Sequence, residues 1–177
     1  MNEPLHFWVP GNPRSQGSGR VLKNRNTGEP IMVMTTPQLR AWRKEIGIEA
    51  KRAAARLKNP LQWHDVDEPV VLGVCFVFRK LKARRVRKLG DVFCHVKPDL
   101  DKLIRAVGDA LEQAHVVVND SRICALFPPP MKVYRQEPGV AIHLSRLDER
   151  RSAWLLKQHE RVRGESGVCA LSTTSDG

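Results

Sequence analysis

The sequence predicts an α+β fold, a small mixed β-sheet flanked by helices, on three observations. Apolar strand-like segments alternate with segments of helical periodicity in the order β, α, β, α, β, β, α. The 177 residues are enough for one domain with its own core. The four cysteines are too scattered for a disulfide framework or a zinc finger. We therefore expect a single domain over residues 1–163 and a disordered, small and polar tail over residues 164–177.

The first part of the chain predicts two strands and one helix. Residues 5–10 are apolar and aromatic, and the turn formers that follow them end this first strand. The apolar residues 31–34 predict a second short strand. Thr36 and Pro37 then form a typical helix start, in which a capping residue precedes a proline at the first helical position. Apolar residues at three- and four-residue spacing predict a helix over residues 37–57.

The second part of the chain predicts more strands and two further helices. The longest apolar run indicates a buried strand, and the clearest amphipathic pattern, with one apolar and one charged face, indicates a helix. The predicted elements are a buried strand at 69–78, a helix at 99–113, a short strand at 115–118, extended segments at 122–126 and 131–135, a strand at 139–147 and a terminal helix at 148–162.

The charge balance indicates the kind of partner. A net charge of +11 and a pI of about 10.0 favour a polyanion, which is either nucleic acid or an acidic membrane surface. A merely soluble basic protein is the alternative. No apolar run approaches the roughly 18 residues of a membrane span, and the N-terminus does not resemble a signal peptide. We therefore expect a cytoplasmic protein without a membrane partner.

The segment over residues 79–88 concentrates this charge, since seven of its ten residues are basic. A solvated loop would explain such a run, but its position just before an acidic cluster favours contacts with DNA phosphates. The contacts expected there are Lys80, Lys82, Arg84, Arg85, Arg87 and Lys88.

The acidic cluster begins with Asp99 and Asp101, at the start of the helix predicted after Pro98. A helix N-cap and a first-turn acid would explain these two residues without any function. The path of the chain suggests more. A helix of about 14 residues advances about 21 Å, and a strand returning over residues 115–120 covers roughly 17–20 Å. Such a strand would bring Asp120 close to the other two carboxylates.

Three neighbouring carboxylates repel one another strongly unless a cation binds between them. A site made only of oxygen ligands suits a hard ion, Mg²⁺ or Mn²⁺, better than zinc. A divalent ion held in this way can activate water for attack on a phosphodiester. The pattern therefore predicts metal-dependent cleavage of nucleic acid by a basic protein that holds an acidic site.

The same region resembles a known family. KPDLDKLIRAVGDAL over residues 97–111, followed by VVVNDSRI over residues 116–123, is similar to the RusA-type Holliday-junction resolvases. The similarity is close from residue 95 to about residue 125. It is looser at Gly11, Pro13 and Lys132.

This resemblance implies a RusA-like fold and a Mg²⁺-dependent homodimer that cuts four-way DNA junctions. It also implies that Asp99, Asp101 and Asp120 are the catalytic aspartates and metal ligands. The sequence departs from the family pattern at Lys102, Arg105 and Asn119, where the family usually has asparagine, lysine and aspartate. Arg105 keeps the positive charge of a catalytic lysine but not its compact geometry.

Other basic residues are candidates for DNA contacts, and three other functions stay open. The candidates outside the basic segment are Lys97, Lys102, Arg14, Arg20 and Lys132. Asp109 is expected to be structural, paired with Arg105 one helical turn away. The alternatives are a non-catalytic protein that binds branched DNA, another phosphoryl-transfer enzyme such as an RNase or flap nuclease, and a basic protein of the membrane surface.

Overall fold

The computed structural model describes most of the chain and confirms the α+β class. The residues described are 3–17, 20–23, 27–33, 36–79, 93–147 and 152–157. The chain up to Arg146 forms one compact unit. Of the second unit, Leu147–Gly177, residues 152–157 are described, and they are helical. This helix lies within the terminal helix predicted over residues 148–162. The domain bound at residue 163 stays a prediction, and the tail over 164–177 lies outside the described residues.

The described elements agree closely with the predicted order. The strands are β1 (Leu5–Pro10), β2 (Arg20–Lys23), β3 (Pro30–Val33), β4 (Val70–Arg79), β5 (Ile123–Leu126), β6 (Met131–Arg135) and β7 (Gly139–Arg146). The helices are α1 (Pro37–Ala54) and α2 (Leu100–Gln113), with short 3-10 helices at Pro60–Trp63 and Asp120–Arg122. Strand β2 has no predicted counterpart, because it follows a segment rich in turn formers and contains only two apolar residues, Val21 and Leu22.

Strand β4 is the centre of a mixed five-stranded sheet. On one side it pairs antiparallel with β7, which in turn pairs antiparallel with β1. On the other side the first half of β4 pairs with β5 and its second half with β6, both parallel. Strands β2 and β3 form a separate antiparallel ribbon. Residues on both faces of β4 are buried, such as Leu72 and Phe76 on one face and Val71 and Val77 on the other. Burial of both faces explains the nearly continuous apolar sequence of the strand.

Helices α1 and α2 pack against each other, and α1 also packs against β1. The oxygen of Thr36 accepts a hydrogen bond of 3.2 Å from the Leu39 backbone N–H, which confirms the predicted N-cap. The helices approach closely at Gly47, where a Cβ would lie 2.9 Å from the Cβ of Ala114. No helix in the described part of the chain is long and apolar enough to cross a membrane.

The strand predicted over residues 115–118 is wrong. Helix α2 ends at Gln113, and the chain turns sharply at His115, whose φ is 58°. Among the described residues, only Val117 pairs there, in an isolated parallel bridge with Val66. Val116 and Val117 are buried in the core. Their apolar character therefore reflects core packing beneath a turn, although a short buried strand has the same composition.

A buried arginine connects three parts of the fold. Arg43 of α1 is only 8% exposed, and its guanidinium donates hydrogen bonds to the carboxylate of Asp109 on α2 and to the side chain of Gln16. The backbone N–H of Gln16 in turn donates to the carbonyl of Lys102 at 3.1 Å. The predicted ion pair of Asp109 with Arg105 is therefore wrong, because Arg43 reaches Asp109 from the neighbouring helix. Arg105 acts on Asp109 only through its charge, which lowers the pKa of Asp109.

We expect Asp109→Asn to lower the free energy of unfolding by about 1.5–3 kcal/mol, since a buried guanidinium loses its charged acceptor. Glu49→Gln is the matched control, because Glu49 and Asp109 are both 20% exposed and both pair with an arginine of α1. Arg52, the partner of Glu49, is 62% exposed, so the control should cost less than about 0.5 kcal/mol. Urea unfolding measures both, and equal losses would contradict the structural role of Arg43.

Candidate active site

The first turn of α2 carries two of the three predicted aspartates. Asp99 occupies the N-cap position, but its side chain makes no capping hydrogen bond. Its carboxylate instead accepts a hydrogen bond of 2.9 Å from the ammonium group of Lys102. This hydrogen bond and the charge of Lys102 lower the pKa of Asp99, and the charges of Lys97 and Lys132 act in the same direction. Asp99 is therefore a readily ionised, exposed carboxylate.

Lys132 of β6 fixes the segment that leads to these aspartates. Its ammonium group donates hydrogen bonds to the carbonyls of Val96, at 2.8 Å, and Pro98, at 2.7 Å. The backbone N–H of Cys94 also donates to the carbonyl of Lys132 at 2.9 Å. Lys132 thus positions the chain just before Asp99, while its predicted contact with DNA stays a prediction.

The third aspartate, Asp120, lies beside the middle of α2. It starts the 3-10 helix Asp120–Arg122, which Asn119 caps by accepting a hydrogen bond of 3.0 Å from the backbone N–H of Ser121. The backbone N–H of Asp120 donates to the carboxylate of Glu112 at 3.2 Å. Asparagine caps a helix as well as aspartate does, so the departure at Asn119 keeps this turn intact.

Gly108 lets this turn approach the helix. A Cβ at Gly108 would lie 3.5 Å from the Cβ of Asp120 and 4.0 Å from one of its carboxylate oxygens. Asp120 is therefore level with Gly108, seven residues after Asp101 or about 10 Å along the helix axis. The predicted return along the whole helix does not occur, because residues 115–118 form a turn where a strand was expected.

Asp101 and Asp120 nevertheless line the same open pocket, of about 760 Å³. Arg105 lines it as well, one turn after Asp101 on the same face of α2. Its apolar walls come from one residue of α2 and all four residues of β5: Ile104, Ile123, Cys124, Ala125 and Leu126. The pocket thus brings together two carboxylates and one guanidinium against an apolar wall.

Asp99 is not among the residues that line this pocket. Within the described ranges, no three side chains of histidine, cysteine, aspartate or glutamate are grouped so that they could hold a metal ion. The structure thus brings Asp101 and Asp120 into one pocket, whereas Asp99 pairs with Lys102. The assignment of all three aspartates to one metal site stays a prediction.

Two further acidic residues belong to the surroundings of Asp120. Burial raises the pKa of Asp109, Arg43 opposes this rise, and the negative charges of Asp120 and Glu112 add to it. Glu112 also accepts the hydrogen bond from the Asp120 backbone. The sequence contains a signal for Glu112, because it follows Asp101 by eleven residues, or three helical turns, and so lies on the same face of α2.

The remaining predicted DNA contacts are only partly described. Arg14 and Lys97 are exposed. Arg14 lies in the loop that the hydrogen bond between Gln16 and Lys102 ties to the start of α2. The side chain of Arg20 lies outside the described residues. So do the six predicted contacts of the basic segment over residues 79–88, which are Lys80, Lys82, Arg84, Arg85, Arg87 and Lys88.

Comparison with protein-family models identifies a match over most of the chain. Residues 10–145 match a protein-family model described as Endodeoxyribonuclease RusA. The matched range includes all five strands of the sheet in whole or part, both helices and all three aspartates. A search of curated proteins found no match.

We expect Lys102→Gln to raise the pKa of Asp99 towards its ordinary value, because the substitution removes both the hydrogen bond and the positive charge that lower it. Lys97→Gln is the control, since Lys97 acts on Asp99 only through charge and more weakly. A ¹³C NMR titration of the side-chain carboxyl groups measures both shifts. An equal or larger rise in the Lys97 variant would contradict the described pairing of Asp99.

Proposed function

The chain belongs to the RusA endodeoxyribonuclease family, and we propose that it resolves four-way DNA junctions by Mg²⁺-dependent cleavage at Asp99, Asp101 and Asp120. The observation that carries this proposal is the shared pocket of Asp101, Arg105 and Asp120. We further propose that the protein acts in DNA recombination and repair, in the cytoplasm of a bacterial or phage-infected cell. The family match supports the nuclease activity, and the residues of the pocket support the site.

The chemistry of the donors fits a magnesium ion. Mg²⁺ prefers oxygen ligands, keeps several of its waters, and is commonly held by one or two carboxylates together with phosphates of the substrate. Asp101 and Asp120 in one pocket provide such a pair, and Mn²⁺ has the same preference for oxygen. When bound, the ion would supply an activated water and stabilise the negative charge that develops on the phosphate.

Asp99 can join this pair at little cost. It lies two residues before Asp101, and its ion pair with Lys102 is exposed on both sides, at 47% and 40%. Exposed ion pairs contribute little to stability, because water and salt screen their charges. Breaking this pair therefore leaves the carboxylate of Asp99 available for the site and the ammonium group of Lys102 available for a phosphate.

Arg105 has a separate role in the proposed reaction. Its guanidinium is always charged and can hold two oxygens of a phosphate at once. Since it lines the pocket beside Asp101 and Asp120, it offsets the repulsion between the carboxylates and the DNA backbone. We propose that Arg105 binds the phosphate that is cut, while the net charge of +11 attracts DNA to the protein.

We also propose that the protein is a homodimer, since a four-way junction has approximate twofold symmetry and a C2 dimer presents two sites to two strands. Across the sheet, the β-pairing places Trp8, Ala141, Cys75 and Met131 in register in one row. Trp8 is 39% and Met131 37% exposed. An exposed apolar row on a sheet supports packing of a second copy there.

We expect Asp101→Asn and Asp120→Asn each to reduce cleavage of a synthetic four-way junction in Mg²⁺ by at least about 100-fold, because a bound ion contributes several kcal/mol to charge stabilisation. Asp99→Asn should also reduce cleavage, and all three variants should still bind the junction. Asp65→Asn, an exposed carboxylate outside the pocket, is the control and should cut normally.

Undiminished cleavage by the Asp101 and Asp120 variants would contradict the assigned site. Binding without cleavage by the unchanged protein would instead support a non-catalytic DNA-binding role. Flaps, linear duplex and RNA assayed under the same conditions test the specificity, and faster cleavage of any of them than of the junction would contradict the proposed substrate.

We expect Met131→Glu to shift the protein from dimer to monomer. The dimer would bury the new carboxylate in an apolar interface without a partner, and burial of an unpaired charge is unfavourable. Leu61→Glu is the matched control, since Leu61 is 76% exposed on a 3-10 helix away from the row and its substitution should leave the dimer intact. Analytical ultracentrifugation measures both. A dimer that is unaffected by Met131→Glu, or a monomeric unchanged protein, would contradict this proposal.

A further inference from the structure

A basic groove between α1 and α2 lies outside the carboxylate pocket, and we propose that it binds the phosphodiester backbone of one duplex arm of the DNA substrate. This inference rests on the proposed function, because it assumes that the substrate is branched DNA. It assigns to α1 a contact that neither the sequence motif nor the pocket of Asp101 and Asp120 includes. The groove has a volume of about 490 Å³.

The groove has basic walls. Four of its lining residues are Arg40, Arg43, Lys44 and Lys51, all from α1. Arg43 is neutralised by Asp109, whereas Arg40, Lys44 and Lys51 are exposed. No carboxylate is among the described residues that line the groove. Three exposed cations are therefore available to an anion in the groove.

The arrangement of charge on α1 is one-sided. At about 100° per residue, Arg40, Lys44 and Lys51 lie within about 40° of one another around the helix axis, whereas Glu45 and Glu49 lie at least about 100° away from them. The three cations extend over about 16 Å of helix. A strand of B-DNA advances by about five phosphates over that distance, so an extended backbone matches the stripe better than a single small anion does.

The floor of the groove is open to a large ligand. It contains Gly47 of α1, Ala110 of α2 and Ala114, the C-cap of α2. Gly47 and Ala114 let the helices approach closely. The three basic side chains of the stripe are themselves exposed, so that a bulky polyanion can reach them.

The groove also lies within reach of the carboxylate pocket. Gln113 on its α2 side is about 120° around the helix from Asp101 and about 18 Å farther along the axis, so the groove lies on another face of α2, towards its C-terminal end. An α-helix with its side chains is about 10–12 Å across, which is similar to the width of the DNA major groove, about 12 Å. One duplex can thus present a phosphate to the pocket and others to the groove.

A membrane surface is the other polyanion that a basic helix can bind, but the packing of α1 argues against it. A helix that lies on a membrane inserts an apolar face among the lipids. The apolar face of α1, with Leu39, Trp42 and Ile46, is instead buried in the protein core. Only its polar face is available, and a phosphodiester backbone suits that face.

The test compares two triple variants of the full chain with the same loss of charge. Arg40→Gln/Lys44→Gln/Lys51→Gln removes the stripe, and Arg52→Gln/Arg56→Gln/Lys58→Gln removes three exposed cations that do not line the groove. Binding of a fluorescent four-way junction is measured by anisotropy over a series of salt concentrations without divalent cation. Circular dichroism melting of each variant checks its fold.

We expect the stripe variant to bind the junction at least about tenfold more weakly and to lose about 2–3 from the slope of log K against log salt, close to 1 for each phosphate contact. The control variant should change the slope by less than about 1. Equal effects of the two folded variants would overturn the inference. So would loss of binding to phosphatidylserine vesicles in the stripe variant with unchanged junction binding, which would favour a membrane role.

The assay separates this inference from the proposed function. If the unchanged protein binds the junction through the stripe but does not cut it in Mg²⁺, the inference holds and the proposed activity fails. If it cuts the junction and the two triple variants bind equally, the proposed activity holds and the inference fails. If the unchanged protein does not bind the junction, both fail.

Discussion

The contact between helix α2 and the turn that carries Asp120 determines the candidate site. Gly108 has no side chain, so the turn lies directly against the helix, and Glu112 accepts a hydrogen bond from the Asp120 backbone. Asp101, Arg105, Gly108 and Glu112 follow one another at spacings of four, three and four residues. These spacings match the helical repeat, so the four residues lie on the same face of α2. A local contact and a helical period therefore place residues distant in sequence in one pocket.

Charges of both signs lie close to this contact. Asp120 and Glu112 contribute to the raised pKa of Asp109, and the buried Arg43 joins α1 to α2 and to the Gln16 loop. The net charge of +11 favours a polyanion as partner, whereas neighbouring carboxylates favour a bound cation. A basic protein with an acidic pocket is therefore consistent with cleavage of a phosphodiester.

The sequence predicted what depends on local patterns and missed what depends on packing. The N-cap at Thr36 and the periodicity of α2 are local, and the structure agrees with both. Val116 and Val117 in the turn at residues 115–118 are buried. A short buried strand has the same apolar composition, which is why the sequence predicted a strand there. The pairing of Arg43 with Asp109 required knowledge of how α1 and α2 pack. The family-like motif identified the aspartates, but only the structure separates Asp99 from the other two.

We propose that Asp101 and Asp120 together hold the divalent ion that cleavage requires. A crystal of the protein soaked in Mn²⁺ and analysed by anomalous scattering tests this proposal. We expect an anomalous peak in the pocket, at coordination distance, about 2.1 Å, from a carboxylate oxygen of each of the two residues. A peak elsewhere, or none in the pocket at a Mn²⁺ concentration that supports cleavage in solution, would contradict it.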